Sequence, residues 1–296
     1  MSEPRTFRNR DRIAIHNRRQ RRAAATDSGE QPRRHRKDPT MSTSKRSPVA
    51  LVTGGSRGLG KSMALHLADR GVDVIITYRG AAAEAADVVK QIEAKGRTAA
   101  AIALDLGSTR GFDAFAAAVK AELAGRFGRD RFDYLVNNAG MGGQASFAET
   151  TEEQFDALMN VHFKGTFFLT QKLLPLIADG GRILNVSSGL TRFSFPGYAA
   201  YAAMKGGVEV LTRYLAKELG PRKIAVNTLA PGAIETDFGG GVVRDNAELN
   251  KMIAGQTALG RVGLPDDVGG AVAVLLSPEG QWINGQRIEA SGGMNL

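Results

Sequence analysis

The chain has 296 residues, of which 43% are hydrophobic, and this is enough for one α/β domain with a substantial core. It contains no cysteine, which excludes disulfides, thiolate metal sites and cysteine nucleophiles, and its four histidines show no metal-ligand spacing, so no metal site is predicted. The formal net charge of +9 lies wholly in residues 1–47, which hold 14 Lys/Arg and 5 Asp/Glu. The positive and negative charges of residues 48–296 are equal in number, so this part of the chain gives no indication of a domain that binds specific nucleic acid.

The first 47 residues differ in composition from the rest. They are rich in arginine and lack apolar periodicity, which predicts a disordered basic extension over residues 1–47. They hold no apolar stretch typical of a secretory signal, and no later segment is long and apolar enough to span a membrane. We therefore expect a cytoplasmic protein without membrane contact, and Met41 is a candidate for the natural start. Salt-sensitive, sequence-independent binding of nucleic acid through the extension stays open as an alternative.

From Pro48 onward, short apolar or β-branched runs alternate with longer helical stretches. Most of these runs are continuously apolar, which indicates strands that are buried on both faces. The alternation predicts an α/β fold, a Rossmann-type doubly wound parallel sheet in a single domain over residues 48–296. The predicted strands are Val49–Thr53, Asp73–Thr77, Thr98–Leu104, Asp133–Asn137, Arg182–Ser187, Ile224–Leu229 and Arg287–Glu289. The predicted helices lie near 59–70, 81–95, 108–125, 151–178, 199–219 and 265–276.

A glycine-rich segment joins the first predicted strand to the first predicted helix. Glycines at this junction allow a tight turn and let the backbone approach a pyrophosphate, whose charge is favoured by the helix N-terminus. The position in the fold, more than the glycines themselves, indicates a dinucleotide site. The candidate cofactor-binding residues of this loop are Gly54, Ser56, Arg57, Gly58, Leu59 and Gly60.

The end of the second predicted strand indicates which dinucleotide is bound. In NAD-binding proteins of this fold the second strand normally ends in Asp or Glu, which accepts a hydrogen bond from the ribose 2′-hydroxyl. Here Tyr78 and Arg79 follow the strand instead. Arg57 and Arg79 could bind a 2′-phosphate by charge-assisted hydrogen bonds, so the predicted cofactor is NADP(H).

A tyrosine and a lysine four residues apart form the candidate catalytic pair. Tyr201 and Lys205 share one face of a predicted helix, and a neighbouring ammonium would favour the phenolate and lower the pKa of the phenol. Ser188 follows a buried strand 13 positions earlier and could stabilise charge that develops on a substrate oxygen. Asn160 is unexpected in mid-helix, because asparagine is a poor helix former. We interpret Ser187 and His162 as structural.

Together these segments make the sequence similar to the short-chain dehydrogenase/reductase family, and in particular to 3-oxoacyl-acyl-carrier-protein reductases. The similarity covers residues 48–296 and consists of ordered motifs at the family's spacing. The motifs are Thr53 to Gly60, Asp105-Leu106, Asn137-Asn138-Ala139-Gly140, Asn160, Ser188, Tyr201 with Lys205, Asn227, Pro231-Gly232, Gly285-Gln286 and Gly292-Gly293.

The resemblance implies a role for each matched residue. Tyr201 would be the acid/base and Ser188 would orient the carbonyl. Lys205 would hold the nicotinamide ribose and lower the pKa of Tyr201, and Asn160 would hold a water that relays protons through Lys205. The other implied cofactor contacts are Asp105 at the adenine with Leu106 beside it, Asn137, Ala139 and Gly140 along the cleft, Pro231 and Gly232, and Ile234 and Thr236 at the carboxamide end.

The predicted function is that of an NADP(H)-dependent oxidoreductase that interconverts a carbonyl and a secondary alcohol on a small molecule. Substrate selection is expected from residues 141–147, 189–198 and 238–262, in which three consecutive glycines suggest a mobile lid. Two alternatives stay open: a 3-oxoacyl-acyl-carrier-protein reductase of fatty-acid synthesis, and a catalytically silent NADP-sensing protein. Against carrier docking, Ala178-Asp179-Gly180 stands where those reductases carry Lys or Arg, although Arg222 and Lys223 remain as contacts.

The segment 161–177 is apolar nearly all round. One face of such a helix can cover the sheet, and a second apolar face implies burial against another subunit. Members of the resembled family are usually homodimers or homotetramers, so we expect this chain to form one of the two.

Overall fold

The computed structural model describes residues 46–296. The predicted extension, residues 1–47, therefore lies outside the described residues except for its last two, and Met41 lies outside them as well. None of the helices in the described part of the chain is both long enough and apolar enough to cross a membrane.

Seven strands form one parallel sheet, and each predicted strand has a counterpart. The strands are β1 Val49–Val52, β2 Asp73–Tyr78, β3 Ala99–Ala103, β4 Phe132–Asn137, β5 Ile177–Val186, β6 Ala225–Pro231 and β7 Arg287–Ala290. Their order in the sheet is β3-β2-β1-β4-β5-β6-β7, with every neighbouring pair parallel. The order reverses between β1 and β4, and this is where an open parallel sheet forms a ligand crevice at its carboxyl edge. The predicted Rossmann-type fold is confirmed.

Helices cover both faces of this sheet. They are α1 Gly58–Asp69, α2 Ala82–Ala94, α3 Phe112–Gly125, α4 Glu152–Met159, α5 Thr166–Leu173, α6 Ala199–Glu218, α7 Val242–Asp245, α8 Ala247–Gly255 and α9 Pro265–Leu275. One apolar cluster joins Ala50 and Val52 to α1, α2 and α9. A second joins Val49 and Leu51 to α3, α5 and α6. Successive strand residues therefore point into opposite cores, which explains why the strands are continuously apolar.

The predicted long helix over 151–178 is wrong in its length and continuity. Its first part, α4, ends at Met159, a π-helical turn spans Asn160–Gly165, and α5 ends at Leu173. Pro175 lies in a short 3₁₀ turn, and β5 already begins at Ile177, whose Cα partner across the sheet is Phe132. Proline lacks an N–H donor and its ring clashes with the preceding turn, so the helix cannot continue through this point.

Candidate active site

A cleft of about 1130 Å³ opens at the carboxyl edge of the sheet, where β1, β4 and β5 end. It brings most of the predicted site residues together, although they are up to 182 positions apart in the chain, from Gly54 to Thr236. The predicted residues that line it are Gly54, Ser56, Arg57, Gly58, Leu59, Gly60, Tyr78, Arg79, Asp105, Leu106, Ala139, Gly140, Ser188, Tyr201, Lys205, Pro231, Gly232, Ile234 and Thr236. Asn137 and Asn160 are not among the cleft residues, and their positions are described below.

The glycine-rich loop has no room for side chains where it turns. Gly54 and Gly58 have φ of +66° and +54°, the left-handed region that glycine adopts without strain. A Cβ on Gly60 would lie 2.1 Å from the Gly54 carbonyl oxygen, and one on Gly55 would lie 2.6 Å from Ile76. Helix α1 begins at Gly58 and carries no acidic residue in its first turn, so its free N–H groups present a positive end to the cleft. This cradle fits a pyrophosphate.

Two exposed arginines stand at the end of the cleft that would take the adenosine ribose. Arg57 precedes α1 and Arg79 follows β2, and both line the cleft. Thr77 has a different task, because it is 2% exposed and its Oγ1 accepts a hydrogen bond of 3.0 Å from Gly54 N. The threonine thus supports the loop, whereas the arginines remain available for an anionic group.

Asn137 lies behind the cleft wall and does not line it. Its Nδ2 donates to Thr170 Oγ1 and to Asn185 Oδ1, at 3.0 and 2.8 Å, in a buried network between β4, α5 and β5. The next residue, Asn138, lines the cleft instead, and its Nδ2 donates to Thr53 O at 2.8 Å. Side chains alternate along an extended segment, and only the structure shows which of the two amides faces the cleft.

Tyr201 and Ser188 meet in the cleft. Tyr201 is buried on α6 and lines the cleft together with Ser188, the second residue after β5. Burial raises the pKa of Tyr201, and its interaction with the Ser188 side chain acts in the opposite direction. The protein groups alone therefore keep the phenol protonated at neutral pH, so that it can donate a hydrogen bond or a proton.

Lys205 is buried one helical turn beyond Tyr201. Its Nζ donates to the Val186 carbonyl oxygen at 2.8 Å and lies 5.7 Å from the centre of the Tyr201 ring. Burial lowers the pKa of Lys205 to about 8. The amine therefore keeps a proton near neutral pH and has donors left for a further partner in the cleft.

His162 was interpreted as structural, and the structure places it against the reacting pair. Its ring packs edge-on against Tyr201 with 5.0 Å between ring centres, and its Nε2 lies 2.8 Å from the Met141 carbonyl oxygen. Burial and the nearby Lys205 lower the pKa of His162 to about 3, so the imidazole is neutral beside the ammonium. A Cβ on Gly140 would lie 2.7 Å from this ring, which explains the glycine. In the sequence, only its place two residues after the unexpected Asn160 could have drawn attention to it.

The depressed pKa of His162 predicts sensitivity to acid. The unfolded chain binds a proton on this histidine below its ordinary pKa of 6.5, whereas the folded chain does so only near 3. The free energy of unfolding should therefore fall as pH drops from 6.5 toward 3, by up to about 1.4 kcal/mol per pH unit from this group. Urea unfolding at several pH values should show a shallower fall for His162→Gln than for the wild type. Because His66→Gln removes a histidine elsewhere, it should retain the His162 contribution, and equal slopes for all three proteins would contradict the prediction.

Asn160 begins the π-helical turn that separates α4 from α5. The residue is half-buried, and a Cβ on Gly165 would lie 2.8 Å from its carbonyl oxygen. Single π turns inside helices occur frequently at functional sites. The irregularity that asparagine suggested in the sequence is therefore present, while its role in a proton relay stays a prediction.

The half of the cleft beyond Tyr201 is mostly apolar and aromatic. Phe238 approaches Tyr201 with 6.0 Å between ring centres, and Gly239, Gly240 and Gly241 follow it with φ between +63° and +79°. This segment leads into α7 and α8, and both its role in substrate selection and the mobility of the lid stay predictions. The apolar and aromatic side chains that line the cleft here are Met141, Leu190, Phe193, Phe195, Tyr198, Phe238, Val242, Val243, Leu249, Met252, Ile253 and Met294, and Gln144 and Asp237 line the cleft as well.

The fold and this site define a dinucleotide-binding oxidoreductase, and comparison with known proteins agrees. The family model described as enoyl-(acyl carrier protein) reductase matches residues 54–295. The hydroxynaphthalene reductase-like protein Arp2 of Metarhizium brunneum is 36% identical over 270 residues, which cover 86% of this chain and 99% of Arp2.

Solved structures give the same result. LugOII, described as a promiscuous reductase that catalyses keto-reduction at C1 during lugdunomycin biosynthesis, is 38% identical with a TM-score of 0.80 and covers 86% of this chain and 100% of its own. The landomycin C-6 ketoreductase LanV, solved with NADP and rabelomycin, is 37% identical with a TM-score of 0.76 and covers 84% of this chain and 96% of its own.

The chain belongs to the short-chain dehydrogenase/reductase family. This confirms the predicted family and the predicted class of enzyme, an NADP(H)-dependent oxidoreductase.

Proposed function

We propose that this chain, an NADP(H)-dependent oxidoreductase that interconverts carbonyl and alcohol, reduces a ketone on a fused-ring aromatic scaffold. The observation that carries the proposal is the set of apolar and aromatic side chains that line the cleft together with Tyr201 and Ser188, among them Phe193, Phe195 and Phe238. Flat rings gain from burial and from offset or edge-on contacts with such residues. The names of the similar proteins support this proposal: they are a hydroxynaphthalene reductase-like protein, a reductase for keto-reduction in lugdunomycin biosynthesis and a landomycin C-6 ketoreductase.

The proposed reaction joins one hydride and one proton to the carbonyl group. Bound NADPH supplies the hydride to the carbonyl carbon. Ser188 and Tyr201 hold the carbonyl oxygen between their hydroxyls, and Tyr201 gives its proton to that oxygen as negative charge develops there. Lys205 holds the nicotinamide ribose and keeps a positive charge near the phenolate that forms. The other proposed contacts run along the cleft as in the family, from Arg57 and Arg79 to Ile234 and Thr236.

A carrier protein is a less favourable partner. Arg222, one of the two basic residues considered for docking, donates to Asp179 Oδ1 at 2.8 Å and to the carbonyl oxygens of Leu174 and Ile177. Its charge is compensated, and its side chain fixes the start of β5. Only Lys223 of the pair remains exposed, which is a weak basis for binding an acidic partner.

A panel of carbonyl compounds tests the substrate class. With NADPH held saturating, kcat/KM should be at least about tenfold higher for a hydroxylated fused-ring ketone than for a single-ring ketone of the same reactivity, because the larger rings bury more apolar surface. A 3-oxoacyl thioester and an enoyl thioester belong in the same panel. A higher kcat/KM for either thioester would contradict the proposal and favour a role in fatty-acid synthesis.

Assembly, location and domain division complete the proposal. Phe167 and Phe168 on α5 are each 39% exposed, and Tyr214 on α6 is 65% exposed, so these helices leave an apolar face uncovered in the single chain. We propose that a second copy covers this face in a homodimer or homotetramer, and light scattering of the purified chain measures this oligomeric state. We also propose that the protein is located in the cytoplasm.

The proposed domain division is an extension over residues 1–47 and an NADP-binding domain over residues 48–296.

A further inference from the structure

A row of four ion-paired side chains lies behind Ser188, and neither the proposed reaction nor the family motifs account for it. The row runs from Glu209 on α6 through Arg287 and Glu289 on β7 to Arg192 in the loop after β5. Arg287 Nε donates to Glu209 at 2.9 Å and its Nη1 donates to Glu289 at 2.9 Å. Arg192 then binds both carboxylate oxygens of Glu289, at 2.8 and 2.6 Å. We call these four residues the charge row.

One oxygen atom of Glu209 holds both sides of Ser188. Ser187, which is 3% exposed, donates its hydroxyl to Glu209 Oε1 at 2.7 Å, and Thr191 Oγ1 lies at 2.7 Å from the same oxygen. The Ser188 carbonyl oxygen is 3.3 Å from Arg287 Nη2. The Glu209–Arg287 pair is therefore hydrogen-bonded to Ser187, to the carbonyl group of Ser188 and to Thr191.

Glu209 also shares a helix face with the reacting groups. Tyr201, Lys205 and Glu209 are spaced four residues apart on α6, so the three side chains leave the helix on adjacent turns of one side. The helix that carries the phenol thus carries the carboxylate that fixes the serine loop. Helix α6 carries Tyr201 and, through Glu209, also holds the loop that carries Ser188. The distance between the two hydroxyls therefore depends on this helix and on the loop that is hydrogen-bonded to it.

The far end of the charge row reaches the substrate half of the cleft. Arg192 also donates to the carbonyl oxygens of Met294 and Asn295, at 2.6 and 2.8 Å, and Met294 lines the cleft. Ser291 Oγ donates to Glu289 at 2.7 Å, and the hydrogen bonds from Arg192, Ser291 and Arg287 lower the pKa of Glu289 to about 2. The carboxylate therefore stays charged, and the C-terminal segment is tied to the same row as Ser188.

We infer that Glu209 is the positioning residue of Ser188: through Ser187, Thr191 and Arg287 it holds the serine hydroxyl at the distance from Tyr201 that carbonyl reduction requires. The inference rests on carbonyl reduction in this cleft and not on which ketone is reduced. Small misplacements of a catalytic group are costly to the chemical step, so the effect should appear in kcat. Cofactor binding should be spared, since the charge row does not line the phosphate end of the cleft.

A double-mutant cycle between Glu209 and Ser188 tests the inference. Glu209→Ala should lower kcat about 10- to 100-fold while the Kd for NADPH changes by less than about twofold. In a Ser188→Ala background, Glu209→Ala should lower kcat by less than about twofold, because the serine hydroxyl that Glu209 positions is already absent. Glu209→Gln, which keeps an acceptor oxygen for Ser187 and Thr191, should recover activity to within about fivefold of the wild type. Glu218→Ala, an exposed acid at the end of the same helix, is the matched control.

Two further measurements make the result decisive. Hydrogen exchange of the amides of residues 187–192 requires no substrate and should accelerate in Glu209→Ala but not in Glu218→Ala. If Glu209→Ala does not fold, Ser187→Ala takes its place. This variant should lose less kcat than Glu209→Ala, and the loss should again disappear when Ser187→Ala is introduced into the Ser188→Ala variant. Unchanged exchange, an equal loss in both backgrounds or a parallel loss of NADPH affinity would each overturn the inference. Failure of the wild type on fused-ring ketones alone would instead overturn the proposed substrate class.

Discussion

Tyr201→Phe is expected to lower kcat for ketone reduction by about 10²- to 10⁴-fold, the usual contribution of a positioned general acid. The variant keeps the ring that packs against His162 and loses only the hydroxyl, which shares the cleft with Ser188. Folding and NADPH binding should therefore remain close to those of the wild type. Steady-state kinetics with NADPH oxidation, together with a separate titration of NADPH by fluorescence, measures the two effects independently.

The matched control for this prediction is Tyr214→Phe. Tyr214 lies on the same helix and is 65% exposed, so the loss of its hydroxyl should not alter turnover. If Tyr201→Phe retained the activity of the wild type, the proton would have to come from elsewhere. If the wild type bound NADPH but reduced no carbonyl compound at all, a protein that only senses the cofactor would be the better description.

Removal of the two arginines at the adenosine end should abolish the preference for NADPH. Each charge-assisted hydrogen bond to a phosphate contributes about 1.5 to 3 kcal/mol, so Arg57→Ala with Arg79→Ala should raise the Kd for NADPH about 10²-fold or more. NADH carries no 2′-phosphate, and its Kd should change little. Both arginines are exposed at the cleft, so the double variant should fold normally.

Arg70→Ala serves as the control for loss of a positive charge. Arg70 is exposed at the other end of α1 and lies outside the cleft. Its removal should leave the ratio of the two dissociation constants unchanged. A double arginine variant that still prefers NADPH by the original factor would show that other groups bind the 2′-phosphate. A rise in both constants by the same factor would indicate damage to the glycine-rich loop.

Local patterns predicted the parts of the site that depend on neighbours in the chain. The glycine-rich loop was predictable, because the positive φ at Gly54 and Gly58 is a local requirement of the turn. The pairing of Tyr201 with Lys205 was predictable as well, since a helix fixes the relation of residues four apart. The strands were recognisable because both faces of the sheet are buried, which leaves a continuous apolar run.

The two misses of the prediction have different causes. The helix after α4 ends at Pro175, a local signal that the prediction passed over, and Ile177 then joins the sheet beside Phe132, 45 positions away. Asn137 turns into a buried network with Thr170 and Asn185 and leaves the cleft to Asn138. Nothing in the immediate sequence distinguishes these two asparagines, because only contacts between distant segments decide which of them faces the cleft.

By itself the sequence determined the order of strands and helices, the dinucleotide loop and the tyrosine–lysine pair, because turns, helix spacing and strand burial are encoded by residues close together in the chain. The tertiary structure alone decided that a neutral His162 packs against Tyr201 and that Glu209, Arg287, Glu289 and Arg192 form one row behind Ser188. The members of that row are separated by up to 97 positions. Hydrogen bonds and charge pairs of this kind form only when folding has brought the segments to within a few ångströms, and their partners cannot be read from spacing along the chain.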